Sequence, residues 1–365
     1  MKNKFIQSAF FSVFLIVIFL NTSCSSDDDQ YIDIQQSPVV MDLTVIPYPK
    51  LSDYNFFVGE IKNQNPVYGL IPYKPSSELF TDYAEKKRFV WLPSNTKATY
   101  NTDHTILDLP VGAALVKTFY YNNVQPLNSQ KIIETRVMIR KSTGWIFAEY
   151  LWNEGQTEAF LQTQASTIPI TWTNDVGQNQ SINYQIPSEA NCLTCHANNS
   201  IVSPIGIKPQ NLNDLYEYLD GTKNQLTKWV EFGYLENNLP AVITSVVDYN
   251  DTNKSLDLRA RSYFDANCAH CHQEGGNAEF VVQRYEFRLS ENPENLGVCI
   301  STNTQYPGIP HGYIIKPNDI SQSVLHYTMN TNNTMLRMPR IGRSIIHQEG
   351  VNLIEQWVNS LSNCD

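Results

Sequence analysis

Two short stretches carry reactive residues at a fixed spacing. Asn191-Cys192-Leu193-Thr194-Cys195-His196 and Asn267-Cys268-Ala269-His270-Cys271-His272 both read C-x-x-C-H. On a helical turn, residues three and four apart share one face. Each motif therefore presents two thiols and one imidazole in the same direction. This is the attachment pattern for c-type haem. Cys192 and Cys195, and again Cys268 and Cys271, can bond the two vinyl groups of a porphyrin, with His196 or His272 as an axial ligand to the iron. Two covalently attached haems c are the expected cofactors. A zinc site built from the four motif cysteines is disfavoured, because zinc sites place their C-x-x-C pairs closer in sequence. No βαβ pattern surrounds either motif to support a thioredoxin-like role.

The elements that position these groups belong to a chain of 365 residues with 42% hydrophobic content and a net charge of -10. The length suits two or three domains. No basic stripe appears, which argues against a nucleic-acid partner. At the N-terminus, Lys2 and Lys4 precede the apolar run Phe10 to Leu20, and small and polar residues lead to Cys24. This reads as a signal peptide over 1–23. Asn21-Thr22-Ser23-Cys24 resembles a bacterial lipobox with Cys24 lipidated, although Asn21 stands where Leu is usual. Ser25-Ser26-Asp27-Asp28-Asp29 resembles the acidic tether of Bacteroidota lipoproteins. The expected location is the cell envelope, on the periplasmic or the outer-membrane side; a single transmembrane anchor is the alternative. Of the seven cysteines, Cys299 and Cys364 are left over. In an oxidising compartment they suggest a disulfide, the alternative being two unpaired thiols.

Residues 24–40 read as an acidic flexible tether. Over 41–186 short strand-like runs alternate with turn signals. One hairpin is expected from Thr135–Arg140 and Gly144–Trp152, another from Ile168–Trp172 and Ile182–Tyr184. The expected fold class is multidomain, with an N-terminal all-β, sandwich-like domain followed by an α-helical, cytochrome c-like diheme region. That region divides into a first haem module, a degenerate one, over 187–250 and a second over 255–365. Ser188 can cap a short helix carrying the first motif. Leu226, Trp229, Val230, Gly233 and Tyr234 fall at helical spacing and are expected to close the first haem pocket. Ser255 to Asn267 reads as a helix entering the second motif, and Val351, Ile354, Trp357, Val358 and Leu361 make a closing helical stripe.

Each motif supplies one axial ligand. A methionine on the other side is common and raises the potential. Met338-Pro339-Arg340-Ile341-Gly342, followed by Gly350-Val351 and Trp357, resembles the ending of class I cytochromes c, which makes Met338 the expected second ligand of the second iron. Met335 and Met329 are rivals. The first haem has no local partner, because Ala197 to Ala269 holds neither His nor Met. His104, Met138, His311, His326, His347 and His270 remain candidates, or the iron is five-coordinate. Pro204-Ile205-Gly206 sits where a cytochrome c proline orients the proximal histidine through its carbonyl; a simple turn is the other reading.

The chain as a whole resembles a bacterial family of diheme c-type cytochromes carrying an N-terminal β-domain. The residues that carry this run from about Tyr68 to the C-terminus and include Leu79-Phe80-Thr81-Asp82-Tyr83-Ala84, Arg88-Phe89-Val90-Trp91-Leu92-Pro93, Leu109-Pro110-Val111-Gly112, Glu134-Thr135-Arg136 and Gln210-Asn211-Leu212-Asn213. The resemblance implies envelope electron transfer with a redox partner protein, a sugar dehydrogenase being one by analogy. A diheme peroxidase-like enzyme with an open first haem is the alternative. Trp91, Tyr120, Trp145, Trp152 and Trp172 read as core rather than as a binding platform.

Overall fold

Runs rich in β-branched and aromatic residues over 85–186 build most of one large antiparallel sheet. A computed structural model of the chain describes residues 35–309 and 312–364. The signal peptide, Cys24, most of the tether and His311 lie outside the described residues. Strands β1 (Phe57–Val58) and β2 (Asn65–Pro66) form a small hairpin. The eight-stranded sheet contains β3 (Ile71–Pro72), β4 (Glu85–Trp91), β5 (Ala114–Val124), β6 (Ser129–Lys141), β7 (Gly144–Trp152), β8 (Ala159–Gln162), β9 (Ser166–Thr173) and β10 (Asn179–Ile186). Its path is β10-β9-β5-β6-β7-β8, with β4 pairing β5 and β3. Both hairpins expected from turn signals are present, as β6–β7 closing at Lys141↔Gly144 and as β9–β10 closing at Thr173↔Asn179.

Period-two alternation sorts the two faces. Val116, Val137, Ile139, Ala148, Tyr150 and Trp152 point into a core shared with Ile46, Leu51, Tyr54, Phe56 and Phe57. The layer that covers this face is coil, two short 3-10 turns and the small hairpin, not a second sheet of comparable size. Pro47, Pro49, Pro66 and Pro72 in that segment remove ladder donors and keep it from forming long strands. Trp91, Trp152 and Trp172 are buried in cores, while Tyr120 and Trp145 are partly covered.

The opposite face is partly covered by residues 207–235. Ile71, Val90, Leu92, Leu107 and Leu109 pack with Ile207, Leu212, Leu226, Trp229, Tyr234 and Leu235 in one core. Tyr234 donates its hydroxyl to the Gly69 carbonyl.

The expected α-helical, cytochrome c-like region does not form; the described chain is dominated by antiparallel sheet and irregular loops. Its helices are α1 (Glu189–His196), α2 (Pro209–Leu212), α3 (Gln225–Glu231), α4 (Leu256–Asn267), α5 (Pro293–Leu296), α6 (Val324–Met329) and α7 (Gln348–Ser360). Between them lie two further hairpins, β11 (Ala197–Asn198) with β12 (Ile201–Val202) and β13 (Leu215–Tyr218) with β14 (Gly221–Asn224). The physical reason is punctuation. Pro204, Gly206, Pro209, Gly221, Gly233 and Pro240 interrupt any long apolar period before α4, and Gly275, Gly276, Pro293, Gly297, Pro307 and Gly308 do so after it. Only α4 and α7 run three turns or more, and they pack on each other around Phe264, Ile354 and Trp357. The helix expected to close the first haem pocket is α3, and it belongs instead to the core against the sheet.

Candidate functional site

The first motif rides on α1. Ser188 caps this helix, its hydroxyl accepting from the Asn191 amide at 3.4 Å while the Asn191 side chain accepts from the Ser188 amide at 3.0 Å. The cap fixes the turn on which Cys192, Cys195 and His196 follow. His196 Nδ1 lies 2.9 Å from the Ser203 carbonyl oxygen. A carbonyl only accepts, so Nδ1 carries the proton and Nε2 is left with a lone pair for a metal. The orienting carbonyl is thus that of Ser203, the residue before Pro204. The His196 ring meets Phe147 edge-on at 5.1 Å. Burial pushes its pKa down to about 4 and the Cys192 thiol up to about 11.

Cys192, Cys195 and His196 line a cavity of about 910 Å³. The sheet forms its floor. Leu115, Lys117 and Phe119 of β5, Arg136 and Met138 of β6, and Phe147 of β7 all point into it from one face. Cross-strand registers Lys117↔Arg136, Leu115↔Met138 and Met138↔Phe147 set these side chains in rows. Arg88, Lys208, Arg288 and Arg343 add positive charge to the wall, against Asp82, Asp265 and Glu286. In a chain of net charge -10 this is a local reversal of sign. Arg88 pairs with Glu78, Lys208 with Asp265 and Arg136 with Glu134. Lys117 makes no ion pair among the described residues, and burial pushes its pKa well down. Arg136 also keeps a buried Nε without a partner. Beneath Arg136, Tyr184 donates to Glu134 at 2.6 Å, and burial followed by the Glu134 carboxylate raises the Glu149 pKa to about 10.

These residues fit a haem at the first motif. Two thiols and a histidine whose Nδ1 is engaged share a helix, an apolar floor of Leu115, Phe119, Met138 and Phe147 suits a porphyrin face, and Lys117, which has no ion pair among the described residues, and the unpartnered Nε of Arg136 suit its propionates. Such a group supplies a one-electron iron centre. If such a group is bound, Cys192 and Cys195 would hold it, Ser203 would orient His196 and the sheet would exclude water.

The second motif follows α4. The Cys268 amide donates to the Phe264 carbonyl at 2.8 Å, and the His272 amide to Cys268 at 3.0 Å, continuing the helical turn. The donor types suit a second haem. The surroundings differ from the first, since Cys268, Cys271 and His272 do not line the cavity, and the His272 ring packs edge-on to Tyr285 at 5.1 Å. His272 Nδ1 is buried without a partner, and burial brings its pKa to about 4. Met338 does line the cavity, with Met329 and Pro339; Met335 is 76% exposed. His272 and Met338 are therefore not brought together on one cavity wall.

Among the other candidates for the first iron, Met138, His104, His270 and His347 share the cavity with His196, while His326 lies apart against Glu355. Cys299 and Cys364 are joined as a disulfide with 5.7 Å between their α-carbons. Cys195, His270 and Cys271 place their donor atoms within 4.8 Å of one another. That is one ligand short of a closed structural zinc site, and Cys192 and Cys268 stand outside it.

Sequence reasoning passed over Arg343 and Asp82. Arg343, 4% exposed, donates to the carbonyls of Met338, Thr328, Met329, Thr331 and Ile345 at 3.0–3.2 Å and so knots the Met338 loop. Asp82, 3% exposed, accepts from Ser344 and Ile345 in the same loop. It also missed Lys117 and Arg136, which face each other across neighbouring strands. No helix among the described residues is long and apolar enough to cross a membrane. No protein-family model, curated protein or solved structure matches the chain.

Proposed function

We propose that the protein is a diheme c-type electron carrier of the bacterial cell envelope, lipid-anchored through Cys24. Haem c would be bonded through Cys192 and Cys195 with His196 on the iron, and a second haem through Cys268 and Cys271 with His272. Met338 is the proposed second ligand of the latter iron. The observation that carries the proposal is His196. It follows two cysteines on a capped helix, donates a hydrogen bond from Nδ1 to a carbonyl, which leaves Nε2 its lone pair, and lines a large cavity with a cationic rim. Each iron would cycle between ferric and ferrous, taking an electron from a reduced partner protein such as a dehydrogenase and passing it to an oxidised one. Intact-mass measurement of the exported protein tests this. Two haem additions are expected, with Cys192→Ser/Cys195→Ser and Cys268→Ser/Cys271→Ser each losing one. A protein with no c-type spectrum when reduced would refute it.

A second reading, a diheme peroxidase-like enzyme, rests on the free volume beside His196. Peroxide that leaves the spectrum of the half-reduced protein unchanged removes this reading and leaves the carrier.

A further inference from the structure

The two attachment motifs, remote in sequence, meet in space. The sulfurs of Cys195 and Cys271 and a ring nitrogen of His270 lie within 4.8 Å of one another. Cys271 Sγ is 3.8 Å from the carbonyl oxygen of Thr194, inside the first motif. Behind this contact the Asn199 amide donates to the Gly275 carbonyl at 2.9 Å. Gly275 has φ +71°, which favours glycine, and a β-carbon there would push on the side chains of Asn198 and Asn199. A further tie runs from α4. Asp265, three residues before Cys268, accepts from Lys208 at 3.4 Å and Gln210 at 3.2 Å, both in the segment that follows the first motif. His270 stands between the motifs. It is 8% exposed, its Nδ1 is buried without a partner, and it lines the cavity beside Cys192, Cys195 and His196.

We infer that the second cysteines of the two motifs share one seam, so that the two haems are attached with adjoining edges and act as a directly coupled pair. This rests on the diheme reading above. The step it adds would be internal: with both haems bound, an electron would pass from the ferrous iron of one to the ferric iron of the other, one being oxidised and the other reduced, with no proton or atom transferred. Charges in a buried seam interact more strongly than in water. Reduction of one iron therefore opposes reduction of the other, and the midpoints belong to the pair rather than to either haem. His270 is a positioning residue, with a ring nitrogen beside both sulfurs.

The test uses the full-length holoprotein. Haems are first counted by intact mass; a count of fewer than two overturns the diheme reading, and the inference with it. With two haems present, electron paramagnetic resonance of the fully oxidised protein is expected to show broadened or split ferric signals that sharpen on half-reduction. The second haem's midpoint is expected to shift in Cys192→Ser/Cys195→Ser, and His270→Ala is expected to alter the spectra of both haems. Two haems whose ferric signals are the plain sum of isolated centres, unchanged on half-reduction, overturn the coupling and leave the carrier reading standing. The wild-type comparison alone decides the matter if the double variant fails to fold.

Discussion

Asp82→Asn is expected to loosen the loop that carries Met338. Asp82 is buried before β4, and its carboxylate accepts from the Ser344 amide at 2.7 and 2.9 Å, from the Ser344 hydroxyl at 2.7 Å and from the Ile345 amide at 3.1 Å. The pair is 262 positions apart in sequence, so these bonds fasten the last third of the chain to the sheet. Asp82 has φ +47°, a region asparagine tolerates as well as aspartate does, so the backbone contribution cancels in this substitution. What remains is the loss of charge and the replacement of one acceptor oxygen by an amide that faces donors. A hydrogen bond to a charged group contributes about 1.5–3 kcal/mol, and an unsatisfied buried donor costs about 1–3 kcal/mol. The expected loss is about 2–3 kcal/mol for Asp82→Asn and about 4 kcal/mol for Asp82→Ala, which strands every donor. Urea unfolding of the full-length protein at an unchanged m-value measures it. A double-mutant cycle with Ser344→Ala should return a coupling of about 1 kcal/mol or more. A loss below about 1 kcal/mol for Asp82→Asn, with no coupling to Ser344, would refute the reasoning.

Other consequences are equally direct. His347 stacks on Phe80 at 4.1 Å and approaches the Tyr263 hydroxyl at 3.1 Å, and burial lowers its pKa from 6.5 to about 4. Its folded pKa lies below the unfolded one, so the unfolded chain binds more protons between those values and stability falls as pH drops from 6.5 to 4. That group accounts for about 3 kcal/mol, and His347→Gln should flatten the acid limb of a stability-versus-pH curve. Arg343→Lys keeps one charge but loses the planar fork that reaches five carbonyls; a loss of about 2 kcal/mol is expected in urea unfolding, and no loss would show that the knot is idle. Cys299→Ala/Cys364→Ala opens a loop closed over 65 positions and should cost about 4 kcal/mol by the chain-entropy account, read from the denaturation midpoint under non-reducing conditions.

The placement of Cys192, Cys195 and His196 on one capped helix was legible because C-x-x-C-H is a local pattern and a helical turn is enough to align it. The β6–β7 and β9–β10 hairpins were legible for the same reason, as strand-forming runs around short turns. What depends on distant partners was not. The stripe Leu226, Trp229, Tyr234 reads as amphipathic, but sequence does not say which surface it covers, and it covers the sheet. The helical expectation for the rest failed because two real helices, α4 and α7, were extended by analogy over glycine- and proline-rich loops. The cavity itself escaped notice, since it joins Lys117, Arg136 and Phe147 of the sheet to His196 and Met338 through pairings no local pattern encodes.

One feature of the fold bears on the order in which the molecule is made. A chain emerges from its N-terminus, and the sheet strands come first. The apolar face bearing Val90, Leu92, Leu107 and Leu109 stays wet until Leu226 and Trp229 exist to cover it. Ser344 then reaches Asp82 only when nearly the whole polypeptide is present. Non-local closure of this kind is slow and leaves surface exposed to self-association. It also leaves a window. Until the final loop docks, Met338 and Arg343 are missing from the cavity wall, and the side they close is open.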